Sequence, residues 1–438
     1  MRPDLDARAA DAVQLALAAG ADETFAFATQ SRDVEFSYRD GALEKVKDAV
    51  ARNLSIELYV DGRYSSHQTT DLNPDRLREF VEEAVALTRA LEPDPYRQIT
   101  PAELFENRKS VDLDLVDAAV AALDRNRRLA WCAALDAATR THERVISATA
   151  GVYDGTVTSA AASSNGFSGS QESTYCWLGS NVTLKDRGDR RASDGFYAGD
   201  THVDDLPPTQ SIGETALERA LVRLDAEKGP TVKTTMVVDS RAAASLIGRL
   251  IRPANAAGVQ QGRSFWADLI GRKAFSDKLS ITDDPLIVRG LASRLYDAEG
   301  IAAKALPVVA EGRVENLYVD TYYGRKAEMQ PTTGSPSNVR IATGTHSLDE
   351  LLSDAGEGVY VTSWLGGNAD GTTGDFSLGL RGHMIENGKI GRPVGEMNVT
   401  GNLRRLFLRL EAVGSDPYPY ATILAPSMMF SGVDFSGA

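Results

Sequence analysis

The sequence has little cysteine, little histidine and no long apolar run. Cys132 and Cys176 are the only cysteines among 438 residues, too few for a disulfide framework, so the sequence fits a reducing compartment. No run approaches the roughly 18 apolar residues that cross a bilayer. The amino terminus carries Asp4 and Asp6 where a signal peptide carries basic residues. We therefore expect a cytoplasmic protein without membrane contact.

The sequence has only five histidines, so few histidine-based metal sites are possible. A zinc-protease helix needs two histidines and a glutamate within two turns. His142-Glu143 begins such a motif, but Ile146 and Ser147 stand where the second histidine would be. No Gly-x-Ser-x-Gly nucleophile motif and no complete phosphate-binding loop occurs either. The residues alone therefore give no complete catalytic set.

The charge balance argues against nucleic-acid binding. The sequence has 47 Lys+Arg against 61 Asp+Glu, a net charge of −14, which repels phosphates unless a basic face is concentrated somewhere. The densest basic stretch is interrupted by Asp186 and Asp189, so we interpret it as a solvated turn: Lys185, Arg187, Arg190 and Arg191. We expect no nucleic-acid partner.

The amino-terminal half alternates helical and strand patterns. Helical spacing predicts a first helix over 6–19, and Asn73-Pro74 predicts the start of a second helix. Asp-Gly pairs separate three strand-like runs that predict an antiparallel meander: 25–38, 43–59 and 63–69. Further helices are expected over 116–139, with a break near Asn126, and over 209–227. Strands are expected over 144–197, with turns at Asp154-Gly155, Asn165-Gly166 and Asp194-Gly195.

The second half combines short strands with many glycines. A strand over 234–238 leads into a helix that extends to about Ile251, and the last third alternates short strand-like runs with glycine turns. This pattern predicts an α+β fold: an amino-terminal antiparallel sheet with packed helices, then a glycine-rich, barrel-like β domain. We place the two domains at 1–215 and 216–438.

Two acidic pairs leave alternatives open. Asp283-Asp284 and Asp297-Ala298-Glu299 could hold Ca²⁺ or Mg²⁺, or could anchor loops between strands, and loop anchoring is the more common role. A hydrolase that uses Asp283, Asp284 and Ser264 is a further hypothesis of low weight. None of these residues identifies a substrate.

Several stretches, in order along nearly the whole chain, resemble a known family. They are 38–44, 60–63, the helix that begins at 73–74, 262–265, 281–285, 296–300, 357–361, 373–377, 385–388 and 400–403. The sequence resembles the TldD/PmbA family, also called modulators of DNA gyrase, and in particular its TldE (PmbA) branch. The resemblance implies a subunit of a cytosolic metalloprotease that acts on unfolded peptides and peptide precursors. In that family the TldD-type subunit carries zinc on an HExxxH helix, completed by a cysteine near the carboxyl end, and the TldE-type partner lacks these ligands.

This chain follows the TldE pattern. The segment that matches HExxxH is 248–253, a degenerate zinc-motif position with Gly248, Arg249 and Arg252, and no histidine lies between His202 and His346. Arginine has no lone pair to donate to zinc and stays protonated. No cysteine follows Cys176. We expect no cofactor and no metal in this chain, and zinc on the TldD-type partner.

The glycine-rich run 366–379 is the candidate for a peptide cleft, because glycine permits close backbone approach and a sheet edge can bind a peptide by strand addition. The alternative is plain turn formation. The cleft candidates are Gly366, Gly367, Gly374, Asp375 and Ser377.

These patterns support two functions. The first is a non-catalytic TldE/PmbA-type subunit of a TldD/TldE zinc metalloprotease, which would pair with a TldD-type subunit as a heterodimer. The alternative is a stand-alone homodimeric protein that binds or scaffolds peptides without proteolysis. Whether the chain takes part in an enzyme stays open at this point, since only the resemblance points to one.

Overall fold

The computed structural model describes residues 5–437, which form ten α-helices and eighteen strands. The residues Met1 to Asp4, on which part of the argument against a signal peptide rests, lie outside the described residues. No helix within the described range has the length and apolar character to cross a bilayer. The helices are α1 (Leu5–Ala18), α2 (Pro74–Thr88), α3 (Ala118–Ala121), α4 (Arg125–Thr139), α5 (Thr209–Leu221), α6 (Ser240–Ile251), α7 (Ala256–Gln260), α8 (Thr321–Ala327), α9 (Leu348–Ala355) and α10 (Leu403–Leu408).

The first half of the chain forms a six-stranded antiparallel sheet in the order β3-β2-β1-β4-β5-β6. Helices α1 and α2 bury apolar side chains against one part of it, and α4 and α5 pack against another. Strand β2 buries alternate residues from Leu54 to Val60, as a strand with one covered face does. The strands are β1 (Glu23–Arg39), β2 (Ala42–Val60), β3 (Arg63–Thr69), β4 (Val145–Ser163), β5 (Ser168–Lys185) and β6 (Arg191–Asp200).

The second half contains a closed barrel and a smaller sheet. Seven strands follow the order β16-β18-β8-β13-β14-β15-β7, and a further pairing of β15 with β18 closes five of them into a barrel. The smaller sheet has the order β11-β10-β9-β12-β17. The strands are β7 (Glu227–Lys228), β8 (Val232–Val238), β9 (Ile281–Asp283), β10 (Leu306–Ala310), β11 (Arg313–Val314), β12 (Val339–Ile341), β13 (Gly358–Ala369), β14 (Asp375–Glu386), β15 (Lys389–Asn402), β16 (Leu410–Val413), β17 (Ile423–Leu424) and β18 (Met428–Gly437). The predicted α+β class with a barrel-like second part is confirmed.

Local signals placed several elements correctly. The Asn73 side chain accepts a hydrogen bond from the Asp75 amide and begins α2, with Pro74 at its first position. The three strands of the predicted meander are β1 to β3, and their two Asp-Gly turns have positive φ at Asp40 and Asp61. The predicted domain division at 215 falls within α5 and stays a prediction.

Two predicted turns are wrong. Asp154-Gly155 lies inside β4 and Asp194-Gly195 lies inside β6. A Cβ on Gly155 would lie 2.2 Å from the Arg32 carbonyl oxygen, so this glycine serves close packing within a sheet rather than a bend. The sequence shows the Asp-Gly pair, but it does not show the neighbouring strand that leaves no space for a side chain at Gly155.

Two predicted helices have different limits. The stretch 116–139 is two helices, α3 and α4, separated at 122–124 because the Asp124 side chain accepts from the Arg127 amide and caps a new helix. Helix α5 ends at Leu221 rather than at 227. The chain then turns through 222–225, with positive φ at Asp225, before the short strand β7, which pairs with β15.

Candidate functional site

Helix α6 carries the degenerate zinc-motif position. Asp239 caps its amino end by accepting from the Arg241 amide, 3.0 Å away. The helix buries one apolar face against the barrel core, and Gly248 and Arg249 lie off that face, only partly buried. Arg252 follows the last turn and is exposed.

The side chains at this position do not fit a zinc ion. One Nη of Arg249 donates to the Ser245 carbonyl at 3.0 Å, and burial lowers the pKa of its guanidinium. Gly248 offers no donor atom, and a Cβ there would lie 3.4 Å from the Ile423 side chain. Guanidinium nitrogens have no lone pair for a metal. Within residues 5–437, no three or more His, Cys, Asp or Glu side chains gather as a potential metal site.

A buried turn at Ser264 connects α6 to the glycine-rich run. The Ser264 hydroxyl donates to the Pro253 carbonyl at 2.5 Å, and the Trp266 indole donates to the Leu250 carbonyl at 2.9 Å. The Phe265 amide donates to the Gly371 carbonyl at 2.9 Å. The structure therefore brings the end of α6 and the glycine-rich run into one region. Ser264 anchors this turn.

The glycine-rich run forms the tip of the β13–β14 hairpin. Strand β13 pairs with β8 only through Val361, so within the described residues its outer edge has no strand partner over 363–369. Gly366 and Gly367 are exposed there, with φ of 120° and 103°. A Cβ on Gly367 would lie 2.1 Å from the Ser377 carbonyl oxygen, so only glycine fits. The tip thus presents an accessible backbone edge.

The polar cleft candidates lie on the neighbouring strand. Asp375 and Ser377 are exposed on β14, and Asp375 accepts from the Asn402 side-chain amide at 2.9 Å. This hydrogen bond, with one from Thr373, lowers the pKa of Asp375 and keeps it ionised. Gly374 has φ of 81° in the turn before β14. All five cleft candidates therefore lie within one hairpin.

The first acidic pair lies apart from this hairpin and anchors a loop. Asp283 is buried, where it accepts from the Ser337 amide at 2.8 Å and from the Ser337 hydroxyl. Asp284 accepts from the Leu286 amide at 3.1 Å. Such contacts occupy the carboxylate oxygens that a cation would need.

The second acidic pair also anchors loops. Asp297 accepts from the amides of Glu299 and Ile301, each at 3.0 Å. Glu299 accepts from the amide and hydroxyl of Thr321 at the start of α8, and burial raises its pKa to about 7.

Sequence comparison adds a family assignment to this geometry. Three successive models match the chain: PmbA/TldA metallopeptidase domain 1 over 26–88, the central domain over 118–224 and the C-terminal domain over 231–437. A crystal structure from Bacteroides thetaiotaomicron, of a protein named for modulation of DNA gyrase, is 35% identical, covers 100% of both chains and has a TM-score of 0.96. The chain belongs to the PmbA/TldD family.

Other PmbA/TldD relatives match along most of their length. The metalloprotease PmbA of Escherichia coli O157:H7 is 28% identical over 412 residues, which is 93% of this chain and 91% of that protein. TldE from Thermococcus kodakarensis has the same fold, with a TM-score of 0.87 at 16% identity over 98% of this chain and 100% of that one. The family resemblance drawn from the sequence is confirmed.

One group of residues in this PmbA/TldD chain was missed by the sequence analysis. Arg190 and Arg191, interpreted above as part of a solvated turn, line a cavity together with Arg223 and Arg381. These arginines come from three separate segments of the chain. No local sequence signal joins them, because the fold alone brings the segments together.

Proposed function

We propose that this chain is the non-catalytic TldE/PmbA-type subunit of a TldD/TldE zinc metalloprotease that acts on unfolded peptides. The observation that carries this proposal is the pair Arg249 and Arg252, where the zinc motif of the catalytic subunit would lie. Relatives named as metalloproteases and the shared fold with TldE support it. Zinc and the hydrolytic water would belong to the TldD-type partner.

The physical contribution of such a subunit is to hold peptide substrate. The open edge of β13 over 363–369 can accept an extended peptide as an added strand, since main-chain hydrogen bonds act on any sequence. Gly366 leaves space beside that edge, since a Cβ there would meet nothing within 4 Å. An unfolded chain meets this requirement because its backbone groups are free to pair.

Cleavage of casein tests the proposal. This chain, a TldD-type subunit with an intact HExxxH motif from the same genome, and the co-expressed pair are compared by size-exclusion chromatography and by casein digestion. We expect the pair to elute as one complex and to cleave casein, with chelator abolishing the cleavage. Cleavage by this chain alone would contradict its non-catalytic role. A lone homodimer that binds casein and never joins the partner would favour the stand-alone scaffold.

The cleft assignment has its own test in the assembled pair. Asp375→Asn removes an exposed charge from the hairpin and keeps an acceptor for Asn402. We expect weaker casein binding, seen as a raised KM with little change in kcat. Glu386→Gln, exposed at the far end of the same strand, is the matched control. Equal KM values for the two variants would show that Asp375 does not contribute to peptide binding in the cleft.

A further inference from the structure

A cavity of about 310 Å³ lies between the amino-terminal sheet and the outer wall of the barrel. Its walls come from β6, from the chain after α5, and from β13, β14 and β15. Two carboxylates, Asp186 and Glu396, are outnumbered by arginines, although the whole chain is acidic. The arginines that line it are Arg190, Arg191, Arg223 and Arg381.

Two of these arginines can each take a further ion-pair or hydrogen-bond partner. Arg381 has no carboxylate within 4.0 Å in the described part of the chain, and its guanidinium donates to the Ser193 carbonyl at 3.5 Å. Arg223 pairs with Asp194 through Nη2, while its Nη1 is buried and finds no hydrogen-bond acceptor among residues 5–437. A buried donor without an acceptor is costly, so a bound acceptor here is favourable.

His383 adds a complementary group to the same lining. The residue is 6% exposed, and Nε2 lies 3.0 Å from the Val222 carbonyl, which can only accept. Nε2 therefore carries the proton, and burial lowers the pKa of the ring, so Nδ1 has a free lone pair. Nδ1 meets no donor in the part of the chain that the structure describes. The lining thus lacks one acceptor for Arg223 and one donor for His383.

The cavity adjoins the open edge of β13. That edge begins at Ser363, whose hydroxyl accepts from Arg223 at 3.0 Å and whose partner across the hairpin is Arg381. Thr362 and Leu365 on either side line the cavity. A peptide added along 363–369 would therefore place one of its ends, or a nearby side chain, at these two arginines.

We propose that this cavity binds a carboxylate of the peptide held on the β13 edge, foremost the carboxyl terminus. This inference rests on the proposed function, because it supposes a peptide on that edge. The last residue of a peptide carries an anionic acceptor for arginine together with an amide donor for the imidazole. Charge-assisted hydrogen bonds to guanidinium supply the affinity.

Anisotropy titrations with labelled peptides test the proposal. The probes are an amino-terminally fluorescein-labelled decapeptide of Ala, Gly and Ser with a free carboxyl terminus, its carboxyl-terminal amide, and amidated peptides with an internal Glu or Gln. We expect the free acid to bind the full chain about tenfold more tightly than the amide at low salt. Arg381→Gln should remove that difference. Arg392→Gln, an exposed arginine outside the cavity that pairs with Glu227 at 3.5 Å, should keep it.

The outcomes separate this inference from the proposed function. In one outcome, the parent chain binds the Glu peptide more tightly than the Gln peptide, and Arg381→Gln abolishes this preference. That result would support the carboxylate site, with an acidic side chain rather than the carboxyl terminus as its ligand. Equal affinity for acid, amide, Glu and Gln peptides would overturn the inference and leave casein cleavage by the pair unaffected. No binding of any peptide would contradict the peptide-holding role as well.

Discussion

At the residue scale, a buried ion pair joins helix α4 to the amino-terminal sheet. Arg128 and Asp154 have side chains that are 5% and 2% exposed, and two hydrogen bonds of 2.6 Å join them. A further Arg128 nitrogen donates to the Leu123 carbonyl at 2.7 Å. Removal of either partner leaves an uncompensated charge in the core.

We predict that Asp154→Ala lowers the free energy of unfolding by about 3 to 5 kcal/mol, because Arg128 then stays buried without a counter-charge. Urea denaturation measures this loss. The exposed pair Arg76–Glu79, with side chains 66% and 67% exposed, is the control, and Glu79→Ala should cost less than about 1 kcal/mol. Similar losses for both variants would contradict this account of the buried pair.

Glu299 gives a second residue-scale prediction. Burial raises its folded pKa from 4.5 to about 7, so the folded state holds a proton that the unfolded chain has released. The extra proton on Glu299 stabilises the folded state fully below about pH 4.5. As the pH rises from 4.5 to about 7, the free energy of unfolding falls by up to roughly 3 kcal/mol. Glu299→Gln should remove this part of the pH dependence, as urea titrations between pH 4.5 and 7.5 would show. A variant with the same pH profile as the parent would refute the assignment.

Sequence patterns located the residues whose role is local. Asn73 as a helix cap follows from positions within a few residues, with Pro74 directly after it. Asp154 was misassigned to a turn because its partner Arg128 is 26 residues away. Charges paired across the fold leave no local signature.

At the element scale, the β13–β14 hairpin combines close backbone approach with a strand edge that has no partner strand among residues 5–437. Gly367 lies directly against β14, whereas a Cβ at Gly395 on β15 would meet nothing within 4 Å. The glycine density predicted a peptide cleft or a turn. The hairpin contains a turn at 370–374, and the cleft stays a prediction. The sequence could not show that β8 stops pairing at Val361.

We predict that Gly367→Ala destabilises the chain by more than about 1 kcal/mol, since the new methyl group would meet the Ser377 carbonyl and the residue has positive φ. Chemical denaturation reports the change. Gly395→Ala, in open space at negative φ, is the matched variant and should be neutral or slightly stabilising. Equal stability of the two variants would mean that the hairpin tolerates a side chain at 367.

At the whole-molecule scale, the barrel depends on a contact that no sequence window contains. Strand β18 pairs with β8 and with β15, so residues 428–437 close a barrel whose first strand begins at Val232. Glycine turns and short strands predicted a barrel-like domain, but not which strands close it. The cavity between the sheet and the barrel was missed for the same reason.

For the whole molecule, we propose that zinc belongs to the partner and not to this chain. Arg249 and Arg252 offer no lone pair to a metal. The most direct test is metal analysis of the chain purified alone and of its complex with a TldD-type subunit. We predict only a substoichiometric trace of zinc in the lone chain and one zinc ion per complex. Stoichiometric, chelator-resistant zinc in the lone chain, held by its own side chains, would contradict the claim.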